Sequence, residues 1–196
     1  MNKRKFKRMK KIFYLAAIVA AVSLTASCGD SKNNKTIGVG SASDSTDNGA
    51  GDSTIYGVCG EGSGMSSMQV ITNEGDTLDI LIDNSDEEFP TVKGGVFSGD
   101  RMAVIASKQD GEWVATQAIN VSSLIGRWTS LDKDFEIQEG GLVKSSMKAE
   151  TNPWTSWKIF NGKLVLNRDT FEVDNLGSDS LYLENKEGIF TFKRKK

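Results

Sequence analysis

From Ile55 to the end of the chain, apolar residues recur at every second position in short runs, and each run stops at a cluster of Gly, Asn, Asp or Ser. Leu78, Ile80 and Ile82 alternate with polar neighbours, Met102, Val104 and Ala106 do the same, and Glu112 to Ile119 forms a further run. Asn73-Glu74-Gly75-Asp76, Gly94-Gly95, Ser98-Gly99-Asp100 and Asp110-Gly111 separate them. A period of two sends one set of side chains into a core and the other into solvent. Runs this short, with turns this frequent, leave no room for an amphipathic helix of several turns. The pattern predicts an antiparallel sandwich or barrel.

The pattern restarts near Asn120. Asn120 to Ile125 reads as a short helix capped by Asn120 or Ser122. Gly126-Arg127-Trp128 follows, and then Phe135 with Ile137, Leu164 with Leu166, Phe171 with Val173, Leu181 with Leu183, and Phe190 with Phe192 mark successive strands. Asn161-Gly162 is a hairpin signal, because both central residues of a type I′ turn need positive φ. Gly140-Gly141, Asn175-Leu176-Gly177 and Glu187-Gly188 mark further turns. The expectation is an all-β chain of short antiparallel strands forming one or two small β-barrels or sandwiches. An N-terminal small β domain covers residues 54–119, and a second domain, a meander of about eight strands, covers residues 120–196.

Before Ile55 the text is different. Residues 1–11 carry Lys3, Arg4, Lys5, Lys7, Arg8, Lys10 and Lys11, and Ile12 to Val22 is apolar without a charge. A spanning helix needs about 20 apolar residues, so the run is too short to cross a bilayer and suits a signal peptide over residues 1–27. Leu24-Thr25-Ala26-Ser27-Cys28 resembles the lipobox of bacterial lipoproteins, with Ala26 and Ser27 at the small positions and Thr25 where the family usually has Leu. The resemblance implies that Cys28 becomes the acylated first residue. It further implies a protein anchored by palmitate and other acyl chains to the cell envelope, in the outer membrane of a Gram-negative bacterium. Residues 28–53 then form a lipidated cysteine and flexible linker, since Gly29 to Ser53 holds only Ile37 and Val39 as large apolar residues.

The restart at Asn120 carries a second resemblance. A short helix, Gly-x-Trp on the first strand and an up-and-down meander are similar to the lipocalin and lipocalin-like families. The resemblance implies that Trp128 closes one end of the barrel, that Gly126 is the motif glycine, and that Arg194 (or Lys193) packs across the indole. It covers about half the length of a full lipocalin. An eight-stranded barrel is just wide enough for side chains to fill it. The whole layout resembles lipocalin-like lipoproteins of gut Gram-negative bacteria.

Charge and composition narrow the chemistry. Removing residues 1–27 takes away seven basic residues and no acidic one, leaving 17 basic against 26 acidic residues and a net charge of −9. Nucleic acid is therefore not an expected partner. Histidine is absent, which removes the commonest general base and metal ligand. With Cys28 acylated, Cys59 has no intramolecular partner and reads as a small buried strand residue. Gly60-Glu61-Gly62-Ser63-Gly64 leads to a strand rather than a helix, so it reads as a hairpin connection and not a phosphate loop. Asp83 to Glu88 is acidic but lacks the EF-hand spacing, and neither a metal nor a cofactor is expected. Trp154 and Trp157 are the candidate ligand contacts: three apart on a strand, they would face opposite ways, one into the core and one outward.

The function expected from these residues is a lipid-anchored cell-envelope β-module with a non-enzymatic binding or scaffolding role. Its partners are the membrane, through the lipid, and an apolar, glycan or protein ligand. A lipocalin-like carrier of a small apolar ligand is the alternative, and a carboxylate-dependent hydrolase is a second one.

Overall fold

A computed structural model describes residues 51–83, 91–147 and 150–196. Cys28, the expected signal peptide and most of the expected linker lie outside the described residues. The alternating text from Ile55 becomes six strands: β1 (Ile55–Cys59), β2 (Ser67–Thr72), β3 (Thr77–Ile82), β4 (Val92–Lys93), β5 (Arg101–Gln109) and β6 (Glu112–Asn120). Met68 stands opposite Ile80, and Met102 and Val104 lie on β5 between β1 and β6. The inward set Cys59, Met68, Val70, Ile80, Ile82, Met102, Val104, Ala115 and Ala118 forms one buried cluster.

The sheet runs in the order β3-β2-β1-β5-β6 and closes through a β3–β6 pairing. That closing pair is parallel, Ile80 beside Trp113 and Ile82 beside Ala115. β4 continues the same edge of β6, also parallel, with Val92 beside Ala118. The strands are otherwise antiparallel, as expected, and these two pairings are the parallel ones among the described residues. Alternation says which face of a strand is buried; it does not say which edge finds which partner. Five strands joined in this order form a Greek-key barrel with the connectivity of the OB fold.

Asn120 ends β6 and caps the helix α1 (Val121–Leu124), its side chain accepting the Ser123 amide at 2.8 Å. Eight strands follow: β7 (Gly126–Thr129), β8 (Asp134–Gln138), β9 (Leu142–Ser145), β10 (Trp157–Phe160), β11 (Lys163–Leu166), β12 (Asp169–Leu176), β13 (Ser180–Asn185) and β14 (Gly188–Arg194). They pair in chain order, and β14 returns to β7 through Lys193–Thr129 and Arg194–Trp128. The remaining gap is bridged where Leu142 meets Ser156 and the Val143 amide donates to the Thr155 carbonyl. This is a nearly closed, eight-stranded antiparallel barrel, the geometry of a lipocalin-like meander. The Asn161-Gly162 turn has φ of 48° and 76°, positive at both central positions, so β10 and β11 meet in register from Phe160–Lys163 to Trp157–Leu166.

Strand direction sorts the loops of the second barrel into two ends. α1 and the turns at Glu139–Gly141, Asn161-Gly162 and Gly177–Asp179 share one end, and that end meets the first barrel. Gln117 donates to the Gly162 carbonyl at 3.0 Å, Arg101 pairs with Glu139 at 2.9 Å, and Lys93 donates to the Asp174 carbonyl at 2.7 Å. Ala103 and Ile119, from β5 and β6, are buried in one cluster with Trp128, Leu164 and Leu176. The first barrel thus keeps its own core and contributes Ala103 and Ile119 to that of the second.

The last linker residues are also held. Ser53 donates from its amide (2.8 Å) and its hydroxyl (2.9 Å) to the Asn161 side chain, and Asp52 accepts the Asn161 amide at 3.0 Å. Tyr56 donates to the Ile159 carbonyl at 2.7 Å, and burial together with the Asp52 carboxylate raises its pKa. The chain expected to be flexible up to Ser53 is ordered at Asp52 and Ser53, because the hairpin turn offers these residues hydrogen-bond partners 108 and 109 positions away.

Candidate functional site

The site begins at the cap. Asn120 has no exposed surface. Its side-chain oxygen holds Ser123, and its amide nitrogen donates to the Gly95 carbonyl at 3.1 Å and to Asp100 at 2.6 Å. One buried amide therefore fixes α1 and the β4–β5 loop to each other. Buried polar groups satisfied in this way hold a single geometry, because any displacement leaves a donor or acceptor unpaired in low dielectric.

Trp128 follows on β7. It is fully buried and donates its indole N–H to the Leu124 carbonyl at 2.9 Å. The Arg194 guanidinium lies 4.2 Å from its ring centre, within the range of a cation–π contact. Nε of Arg194 donates to the Ser178 carbonyl at 2.7 Å, Nη1 to Ile125 at 3.0 Å and Nη2 to Ser123. Gly126, at φ +137°, is where a Cβ would run into Nη1 of Arg194. The structure thus brings Gly126, Trp128 and Arg194 together. Lys193, the other basic candidate, is an exposed residue.

The tryptophan pair is not arranged as the spacing predicts. Trp154 precedes β10 rather than lying on it, and it is buried, with edge-to-face contacts to Phe135 (5.0 Å), Phe171 (5.7 Å) and Phe192 (6.3 Å). Lys133 caps its ring at 4.2 Å and pairs with Glu150. Burial pushes the Glu150 carboxyl up, and Lys133 and Ser145 outweigh it, leaving the pKa below its ordinary value. Trp157 is half-buried and donates to the Gln138 carbonyl at 2.7 Å. Neither ring is an exposed contact surface. Period-two reasoning fails for Trp154 because an irregular segment has no faces to alternate. One tryptophan closes each end of the barrel, and aromatic rings fill the space between.

Concave surface lies instead along the seam. A cleft of about 470 Å³ is lined by Gly94, Gly95 and Phe97 of the β4–β5 loop, Ser122 and Ser123 of α1, Leu176, Gly177 and Ser178 of the β12–β13 turn, and Arg194. Phe97 is 62 % exposed, and its ring lies over Gly95, where a Cβ would come within 2.7 Å of it. Gly94 packs so closely that a Cβ would sit 2.9 Å from both Asn120 and Leu176. Sequence reasoning missed Phe97, Gly94, Gly95 and Leu176. They come from elements far apart in the chain, and the Gly-Gly pair and Leu176 gave only local signals, each read as part of a turn.

A smaller cleft of about 240 Å³ lies between Thr91, Lys93, Thr116, Gln117, Glu172, Val173 and Asp174. Burial raises the Asp174 pKa, Lys93 pulls it back, and Glu172 adds to the rise. Glu172 pairs with Lys163 and stands two residues from Asp174 on the same strand, so both carboxylates come from one wall. Cys59 is buried, with Sγ 3.2 Å from the Ser63 hydroxyl. The Gly60–Gly64 segment joins β1 to β2, leading into a strand. No group of metal-ligating side chains occurs among the described residues, and the acidic run from Asp83 lies, apart from Asp83, outside them.

No protein-family model, no curated protein and no solved structure matches the chain.

Proposed function

We propose that the protein is a lipid-anchored module of the cell envelope that binds a ligand on its surface and performs no chemistry on it. In this reading Cys28 carries the acyl chains, the outer membrane of a Gram-negative bacterium is the site of anchoring, and residues 29–51 hold the barrels away from the headgroups. The observation that carries the binding part is the filled interior of the second barrel. Phe135, Trp154, Phe171 and Phe192 occupy the volume where a carrier would keep its cavity, while a braced cleft is open at the seam. Ligand sites are concave, largely apolar and supplied with a few placed polar groups, and the seam has these properties.

The anchor is tested by growing cells with radiolabelled palmitate. Label is expected in the wild-type protein and absent from a Cys28→Ala variant; equal labelling of the two rejects the anchor. The carrier alternative is tested by native mass spectrometry of protein purified from its own cells. An apolar adduct that survives closure of the seam by Gly95→Leu but is lost on filling the second barrel further, by Leu183→Phe, would favour the carrier.

A further inference from the structure

We infer that the seam cleft binds a small monocarboxylate with an apolar tail, Arg194 holding the carboxylate and Phe97 and Leu176 packing the tail. This deepens, and rests on, the reading of the chain as a surface-binding module.

The argument starts from the donors of Arg194. A guanidinium carries five N–H donors, and three carbonyls, of Ser178, Ile125 and Ser123, take three of them. The other two have no acceptor among the described residues. Arg194 takes part in none of the ion pairs found there; Asp179 acts on it only at longer range. Its positive charge is thus held in place by neutral carbonyls and an indole face, with no carboxylate among the described residues bonded to it. A fixed guanidinium with free N–H groups is a matched receptor for a planar carboxylate.

The rest of the cleft selects what can accompany that carboxylate. Phe97 presents a mostly exposed ring at the mouth, and Leu176 forms part of the wall. The hydroxyls of the two helix serines are already engaged. Ser122 Oγ accepts the Arg101 amide at 2.9 Å, and Ser123 Oγ donates to the Gly94 carbonyl at 2.9 Å. They are committed to bracing the walls, so the surface left for the body of a ligand is mainly the ring, the leucine and the glycine backbone, with Ser178 at the turn. A volume of about 470 Å³ falls in the usual range for small-ligand sites. Both walls are preorganised, the loop through Asn120 and the turn through Arg194, so little ordering would accompany binding.

The test is calorimetric titration of the full chain in detergent with two carboxylates, 3-phenylpropionate and hexanoate, each beside its neutral primary amide. At least one carboxylate is expected to bind saturably and at least tenfold more tightly than its amide, and its affinity should fall as salt rises. Phe97→Asp places a like charge at the mouth without touching the core, and should weaken that binding at least tenfold while the melting temperature stays unchanged. Phe97→Ala should weaken carboxylate and amide alike. Failure of both carboxylates to bind, equal affinity for acid and amide, or indifference to Phe97→Asp overturns the inference. If native mass spectrometry finds a co-purified ligand that Phe97→Asp retains while neither carboxylate binds, the surface-module reading survives and the seam carboxylate site falls. If no ligand is found and neither carboxylate binds, both lose their support.

Discussion

The two barrels close differently, and the difference explains what fills them. The first joins its ends through a parallel contact between β3 and β6, with β4 and β5 intervening in the chain. The second is paired in chain order throughout, and its last strand returns to its first. Barrel diameter grows with strand number. The narrow five-stranded interior takes Cys, Met, Val, Ile and Ala; the eight-stranded one takes Trp128, Phe135, Trp154, Phe171 and Phe192 as well. Strand number thus decides side-chain size. Eight short strands leave room for aromatic rings in the interior of the second barrel.

The comparison is tested first where its effect is largest. Trp128→Ala removes a fully buried indole and is expected to cost about 3–5 kcal/mol. Because Ala103 and Ile119 of the first barrel belong to the same cluster, urea unfolding followed by fluorescence and by circular dichroism should show one shared transition at lower denaturant. Two separated transitions would mean that the barrels stand independently. Next comes the volume argument. Val70 has no exposed surface, and Val70→Phe overfills the narrow barrel, with an expected cost of about 1–3 kcal/mol. A variant as stable as the wild type would show that five strands can hold a ring after all.

The third test addresses the clamp between linker and hairpin. Asn161→Ala puts a Cβ-bearing residue without a local hydrogen bond at φ +48° and removes the acceptor for Ser53. The expected loss is about 1–2 kcal/mol. Backbone amides of residues 52–54 should exchange with deuterium faster, which an effect confined to the turn would not produce.

The smallest effect concerns Asp134. Hydrogen bonds from Arg127 and then Lys195 outweigh its desolvation and hold its pKa down to about 2, below its ordinary value of 3.8. A depressed carboxylate pKa means that the folded state favours the ionised form. The contribution is therefore fully present above about pH 4 and is lost as pH falls toward 2. The pair is near the surface, so Asp134→Asn should cost roughly 1 kcal/mol or less near neutrality. The difference in stability between variant and wild type should close between about pH 4 and pH 2. A difference that stays constant over that window would mean that the charge of Asp134 contributes nothing.

The seam cleft was the least legible part. Asn120 could be read as a cap, because capping is local and involves residues three apart. Its second role, bracing Gly95 and Asp100, joins segments 20 to 25 positions away and leaves no periodic trace. Phe97 stands in a glycine-rich turn, where composition alone suggests nothing but a connection. Trp154 had the opposite problem: it was visible, and it was assigned to a strand face that does not exist.

By itself the sequence determined the all-β class, the short helix starting at Asn120 or Ser122, the hairpin turn at Asn161-Gly162 and the meander of strands after Gly126. Each of these rests on interactions between neighbours in the chain, through period-two burial, capping and positive φ, so the text records them directly. Only the tertiary structure decided the parallel closure of the first barrel, the burial of Trp154 and the cleft between the barrels. Those depend on which edges and ends meet across long stretches of chain, and alternation is the same whatever the partner.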